Sequence, residues 1–110
     1  IPYFIYVFAF LNPERVVARL QEQALAEALS TAYDQEPFVR VFDKPPSLDQ
    51  VRGSNYCDIY ATVDERTGNA ILISVIDNLV KGAAGQAIQN LNIMFGMDEQ
   101  LGLASVPLTP

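Results

Sequence analysis

Tyr56-Cys57-Asp58-Ile59-Tyr60-Ala61-Thr62-Val63, then Asp64-Glu65-Arg66-Thr67-Gly68-Asn69, then Ala70-Ile71-Leu72-Ile73-Ser74-Val75-Ile76 decide the fold. In the first segment Cys57, Ile59, Ala61 and Val63 alternate with Tyr56, Asp58, Tyr60 and Thr62. That period of two predicts a half-buried strand over residues 56–63. The polar run 64–69 supplies a hairpin turn, with Gly68 free to adopt a positive φ. Residues 70–76 are apolar at nearly every position, as in a central strand covered on both faces.

Upstream, residues 43–53 contain Pro45-Pro46 and read as a loop, and 38–42 as a short strand. Residues 1–11 form a dense apolar run of Ile, Val, Phe and Tyr, the pattern of a buried strand. Asn12-Pro13-Glu14 then gives an N-cap, a proline at the first helical position and an acid in the first turn. The helix that follows spaces Val16, Leu20, Ala24, Ala28 and Ala32 by four, flanked by Val17, Leu25 and Leu29, and ends near Tyr33-Asp34. A second parse makes 15–20 a strand and starts the helix near Gln23. The order strand–helix–strand–strand–strand–helix indicates an α+β fold, a mixed or antiparallel sheet with helices packed on it. There is no internal repeat.

Downstream, Asp77-Asn78-Leu79-Val80-Lys81-Gly82-Ala83-Ala84-Gly85-Gln86-Ala87-Ile88-Gln89-Asn90-Leu91-Asn92-Ile93-Met94-Phe95-Gly96 carries a helix over 79–95. Val80, Ala84, Ala87, Ile88, Leu91 and Phe95 form an apolar stripe expected to pack inward. The other side carries Gln86, Gln89, Asn90 and Asn92, amides where a solvated helix has Lys and Glu. Amides favour a wet or partly buried contact. Gly82 and Gly85 each cost about 1 kcal/mol against alanine in a helix, so something approaches the backbone there. That neighbour is either the chain's own sheet or a bound ligand or second domain.

The 110 residues make one domain, half of them apolar, with only 18% charged. Few charges on a large relative surface predict that part of it lies against something else. Seven basic against thirteen acidic residues give a net charge of −6, which argues against nucleic acid or an anionic membrane as partner. No uncharged stretch at the front is long enough to span a bilayer. With no histidine, a His-based triad or zinc site is excluded and no metal ligand set is expected. The single Cys57 cannot form an internal disulfide, which fits a reducing, cytoplasmic setting. A chain that starts without methionine on a dense apolar run reads as a fragment.

Three stretches carry a resemblance: Gly53-Ser54-Asn55-Tyr56-Cys57-Asp58-Ile59, Val63-Asp64-Glu65-Arg66-Thr67-Gly68, and Ile76 through Asn90. Together they resemble the C-terminal part of N-acetyl-gamma-glutamyl-phosphate reductase, as do Glu36-Pro37-Phe38-Val39-Arg40-Val41 and Asn92-Ile93-Met94-Phe95-Gly96. The likeness runs in register from about Glu36 to Leu103 and is poor upstream. Aspartate-semialdehyde dehydrogenase shares Asp-Asn-Leu and Lys-Gly-Ala-Ala, but Gly-Gln-Ala-Ile-Gln-Asn suits the reductase better.

The resemblance implies an NADPH-dependent oxidoreductase of arginine biosynthesis that converts an acyl phosphate to a semialdehyde through a cysteine thioester and hydride transfer. It implies a two-domain enzyme: an N-terminal Rossmann domain holding most of the NADP, and a C-terminal α+β domain like that of glyceraldehyde-3-phosphate dehydrogenase. Residues 1–110 correspond to the C-terminal substrate and oligomerisation domain, with 79–95 a helix returning to the cofactor domain. Implied partners are that Rossmann domain, further copies in a homo-oligomer and a small acyl phosphate.

The chain departs from the family where catalysis resides. It has no Asn-Pro-Gly-Cys-like motif, no histidine and no Gly-x-Gly-x-x-Gly after a strand, so no residue here is assigned as catalytic. Cys57 sits on the apolar side of its strand and reads as a small hydrophobe rather than a nucleophile. Asn78 matches the family position beside the nicotinamide, and Gly82 is the second candidate cofactor contact. Asp77 or Asn78 can equally cap the helix. Lys81 reads as a solvent or interface residue at the helix start. Arg40 and Arg52 can grip a phosphate, but read more simply as members of surface pairs. The alternative function is a stand-alone dimerisation or scaffold module, or the same portion of an aspartate-semialdehyde or aminoadipate-pathway reductase.

Overall fold

A computed structural model describes the backbone of residues 4–11 and 18–104 and the side chains of residues 22–104. Its elements are strand β1 (Phe4–Leu11), helix α1 (Ala18–Tyr33) and strands β2 (Val39–Phe42), β3 (Cys57–Val63) and β4 (Ala70–Asp77). Helix α2 (Gly85–Met94) follows, entered through a π-helical turn at Val80–Ala84. The four strands form one sheet in the order β1-β4-β3-β2. β3 and β4 pair antiparallel around the predicted turn, where Gly68 takes φ +75°. β1 pairs antiparallel with β4 from Phe4 opposite Asp77 to Leu11 opposite Ala70. β2 lies parallel to β3, with Val39 opposite Cys57. The sheet is therefore mixed, as the α+β reading expects, and β4 is central, as its apolar run requires.

A parallel pair needs a long connection. Residues 43–56 supply it, with a short 3₁₀ turn at Leu48–Gln50. β1 and β2 are the two edges, and α1 joins them by crossing one face. Residues Ala18 to Leu20 are helical, which removes the strand parse at those positions. The cap at Asn12-Pro13-Glu14 lies outside the described residues.

The inward side of α1 differs from the expected row. Ala24, Ala28 and Ala32 are exposed, while Glu22, Leu25, Ala26 and Leu29 are half-buried. Glu22 faces the sheet because its carboxylate accepts a 3.0 Å hydrogen bond from Thr62 Oγ1. A buried partner for a carboxylate outweighs the small apolar area of three alanines.

Phe38, Val51, Ala61, Val63, Ala70, Val75 and Leu103 form the buried apolar core. The most enclosed side chains are as polar as apolar: Val51 and Val75 are joined by Ser54, Asn55 and Asp58. Large apolar groups lie outside instead, with Ile88, Leu91, Ile93, Met94 and Phe95 of the last helical segment exposed. Among the described residues no helix is long and apolar enough to cross a membrane.

Candidate functional site

Four segments converge where β4 ends: Phe38 before β2, residues 53–57 leading into β3, Asp77-Asn78, and the start of the last helix. Asp77 ties two of them. Its Oδ1 accepts from the Leu79 N–H at 2.9 Å and its Oδ2 from the Gly53 N–H at 2.7 Å. Gly53 has φ +73°, so a side chain there is strained. Asp77 thus caps the helix entry, one of the two residues the sequence offered for that role. Asn78 follows it, half-buried, with its carboxamide against Gly82.

The two helix glycines are explained by close neighbours within the chain. A Cβ on Gly82 would meet Asn78 Oδ1 at 2.9 Å, and Gly82 is exposed. One on Gly85 would collide with the Asn55 side chain and with the Val80 carbonyl oxygen, 2.6 Å away. Gly85 is buried against Asn55 because it has no side chain. Of the two readings left open for that glycine, the chain's own structure supplies the neighbour.

Asn55 opens a polar network that sequence reasoning did not assemble. Its side chain is 1% exposed, and its Nδ2 donates to Gln89 Oε1 at 3.0 Å. The same oxygen accepts from Lys81 Nζ at 2.6 Å. Gln89 Nε2 donates to Glu99 Oε2 at 3.1 Å, and Asn92 Nδ2 donates to the Glu99 and Leu101 carbonyls. The loop after α2 is thus fastened back on the helix. Burial pushes the Lys81 amine below the ordinary lysine value, offset in part by Cys57, Glu99 and Glu36. Its Nζ also lies 5.7 Å from the centroid of the Phe38 ring. Lys81 is therefore half-buried and paired, rather than the solvent or interface residue expected.

The amide side of the helix is consequently the inward side. Gly85, Gln89 and Asn92 are buried, whereas Ala84, Ala87, Ile88, Leu91 and Phe95 are exposed, Phe95 at 70%. This reverses the expected orientation. Inward amides are satisfied by hydrogen bonds, which removes the cost of burying them. The exposed apolar side is a surface of the kind that marks interaction sites.

Cys57 is half-buried, its sulfur 3.2 Å from Ser74 Oγ. Arg40, expected in a surface pair, instead holds the buried Asp58. Nε donates to Oδ1 at 2.7 Å and Nη2 to Oδ2 at 3.0 Å, with Nη2 also donating to the Gln50 carbonyl at 2.7 Å. Its guanidinium lies 4.0 Å over the Tyr56 ring. A guanidinium so engaged is not free to grip a phosphate. Arg52 is exposed.

A cavity of about 470 Å³ lies at the other end of the sheet, between α1 and the β2–β3 edge. Glu22, Phe42, Asp43, Tyr60 and Glu65 line it, with no nucleophile or cation. Among the described residues no cluster of potential metal ligands occurs.

A family model described as the semialdehyde dehydrogenase, dimerisation domain, matches residues 6–78. The N-acetyl-gamma-glutamyl-phosphate reductase of Geobacter sp. (strain M21) is 60% identical over 89 residues, 79% of this chain and 25% of that protein. The protein of the same name from Desulfotalea psychrophila (strain LSv54 / DSM 12343) is 52% identical over 106 residues, 94% of this chain and 29% of that one. Among solved structures, aspartate semialdehyde dehydrogenase II from Vibrio cholerae, complexed with ASA, has a TM-score of 0.59 at 18% identity. That match covers 86% of this chain and 27% of that one, and it speaks for the fold. The chain spans about a quarter of the length of the curated relatives it matches.

Proposed function

The chain belongs to the semialdehyde dehydrogenase dimerisation-domain family, and we propose that it forms the C-terminal part of an NADPH-dependent N-acetyl-gamma-glutamyl-phosphate reductase. The observation that carries this reading is the 60% identity to the reductase of Geobacter sp. (strain M21) over 79% of the chain. The reaction reduces an acyl phosphate to a semialdehyde with release of phosphate. NADPH supplies the hydride, and a Rossmann domain elsewhere in the enzyme holds most of it. This chain contributes the scaffold, the surface for a second copy and one side of the cofactor contact. The exposed Ile88, Leu91 and Phe95 face is what the last helix presents to the cofactor domain. The reading is tested by whether this chain supports NADPH-dependent turnover when grafted in place of the matching quarter of the Geobacter protein.

Within it, Asn78 and Gly82 are the residues toward the cofactor. Asn78 ends the central strand at the helix entry, where ligand-facing groups gather in strand–helix architectures. Its carboxamide donates and accepts together, which suits the carboxamide of nicotinamide. Gly82 leaves the space in which that carboxamide lies. In the grafted reductase Asn78→Ala is expected to weaken NADPH binding or hydride transfer by roughly 5- to 150-fold, the worth of about 1–3 kcal/mol. A variant with unchanged NADPH affinity and turnover but a lowered melting temperature makes Asn78 a structural residue only.

Cys57→Ala is expected to leave the chemical step unchanged and to cost below roughly 1.5 kcal/mol of stability. The sulfur meets Ser74 on the sheet, and nothing in the described network activates it. A fall in kcat by orders of magnitude with normal melting identifies it as the nucleophile instead.

A further inference from the structure

Lys44 and Lys81 are the only lysines of the chain. Lys44 is exposed in the loop after β2, whereas Lys81 is half-buried. What fixes Lys81 is the π-turn, in which the Ala84 and Gly85 N–H groups donate to the carbonyls five residues back, Leu79 and Val80. Lys81 and Gln89 are eight residues apart, and in uninterrupted α-helix they would project about 80° from each other. One extra residue taken up in a π-turn brings them to within about 20°. That alignment lets the amine reach Gln89 Oε1 at 2.6 Å while Asn55 approaches Gly85. The turn therefore costs two helix hydrogen bonds of normal geometry and gains one amine held in a defined place.

We propose that Lys81 is a self-acylation site, its amine taking the acyl group from acyl phosphates that reach the helix entry. The natural donor follows from the reductase reading, since an acyl phosphate is a mixed anhydride and an activated acylating agent. The neutral amine attacks the carbonyl carbon. The C–N bond forms, the C–O bond to phosphorus breaks, inorganic phosphate leaves, and a proton passes from nitrogen to water. Gly82, Ala83 and Ala84 beside Lys81 are exposed, so the donor has an open approach.

The charged and titratable groups that act on the amine are Cys57 on β3, Glu36 before β2 and Glu99 after α2. Burial outweighs them and lowers the amine's affinity for its proton. More of it is neutral near pH 8 than in a free lysine, and acylation accordingly begins at lower pH. The acylated nitrogen has lost its charge and two of its donors, so Gln89 keeps Asn55 but loses its link to Lys81. Acylation thus loosens the joint between helix entry and sheet, and unreduced substrate becomes a slow inactivator.

The test treats the 110-residue chain and the grafted reductase with acetyl phosphate near pH 8 and follows both lysines by peptide mass spectrometry. Lys81 is expected to be acetylated several-fold faster than Lys44 in the native protein and at an equal rate in urea. Gln89→Glu places a carboxylate beside the amine, which keeps its proton on, and slows Lys81. Glu99→Gln removes a negative neighbour and speeds it, and neither variant moves Lys44. Lys44 reacting as fast as Lys81 in both native proteins overturns the proposal, as do variants that shift both lysines together. A graft that turns over acyl phosphate with Lys81 unmodified by acetyl phosphate sinks this inference and spares the reductase reading. Selective acetylation in a graft without turnover does the reverse.

Discussion

Arg40→Ala is expected to destabilise the folded chain by about 3–5 kcal/mol, the cost of leaving one member of a buried ion pair alone. Asp58 has no exposed side-chain surface, and Arg40 meets both of its oxygens. The substitution also strips the Gln50 carbonyl of its donor and removes the guanidinium from the Tyr56 ring. Arg40→Lys recovers only part, because an ammonium cannot span two carboxylate oxygens and a carbonyl in one plane. Removing both charges is milder: Arg40→Met with Asp58→Ala is expected to restore most of the loss.

The pH dependence has a definite sign. Burial, opposed by Arg40, holds the Asp58 carboxyl above its ordinary value. The folded state therefore keeps this proton to higher pH than the unfolded chain. The stability it contributes is full below the unfolded value and is lost as pH rises through the folded one. Without Arg40 the carboxyl rises further, so the variant's deficit is expected to shrink on acidification toward pH 4. Urea midpoints of both proteins at pH 4 and pH 7 check this. A deficit below 1 kcal/mol at pH 7, the order of an exposed pair, makes the ion pair marginal.

The strands were legible because their signals are local. Alternation in 56–63, a polar six-residue turn with Gly68 and an unbroken apolar run in 70–76 each point to one structure, and β3, the turn and β4 follow them closely. The orientation of the last helix was not legible. A helical wheel assumes 3.6 residues per turn throughout, and the π-turn at Val80–Ala84 breaks that assumption. It also treats apolar residues as inward, whereas Gln89 and Asn92 go inward on hydrogen bonds that come from residues far away in sequence. Gly85 was the available clue. A buried helix glycine means a close neighbour, and only the fold reveals that the neighbour is Asn55. Arg40 and Asp58 misled for a related reason. Each looks like a surface residue by type, and only the parallel register of β2 on β3 sets them side by side.

The central claim is that this chain is a necessary but chemically incomplete part of an acyl-phosphate reductase. The chain has no histidine, no dinucleotide fingerprint and no cysteine in a nucleophile motif; its one cysteine contacts Ser74. The most direct measurement is steady-state NADPH oxidation with N-acetyl-gamma-glutamyl phosphate, made on three proteins: this chain alone, the Geobacter relative, and that relative with its matching segment replaced by this chain. The chain alone is expected to give no turnover above the uncatalysed rate. The graft is expected to turn over within about tenfold of the parent, a barrier change near 1.4 kcal/mol. Turnover by the isolated 110 residues, or a folded graft that binds NADPH and reduces no acyl phosphate, contradicts the account.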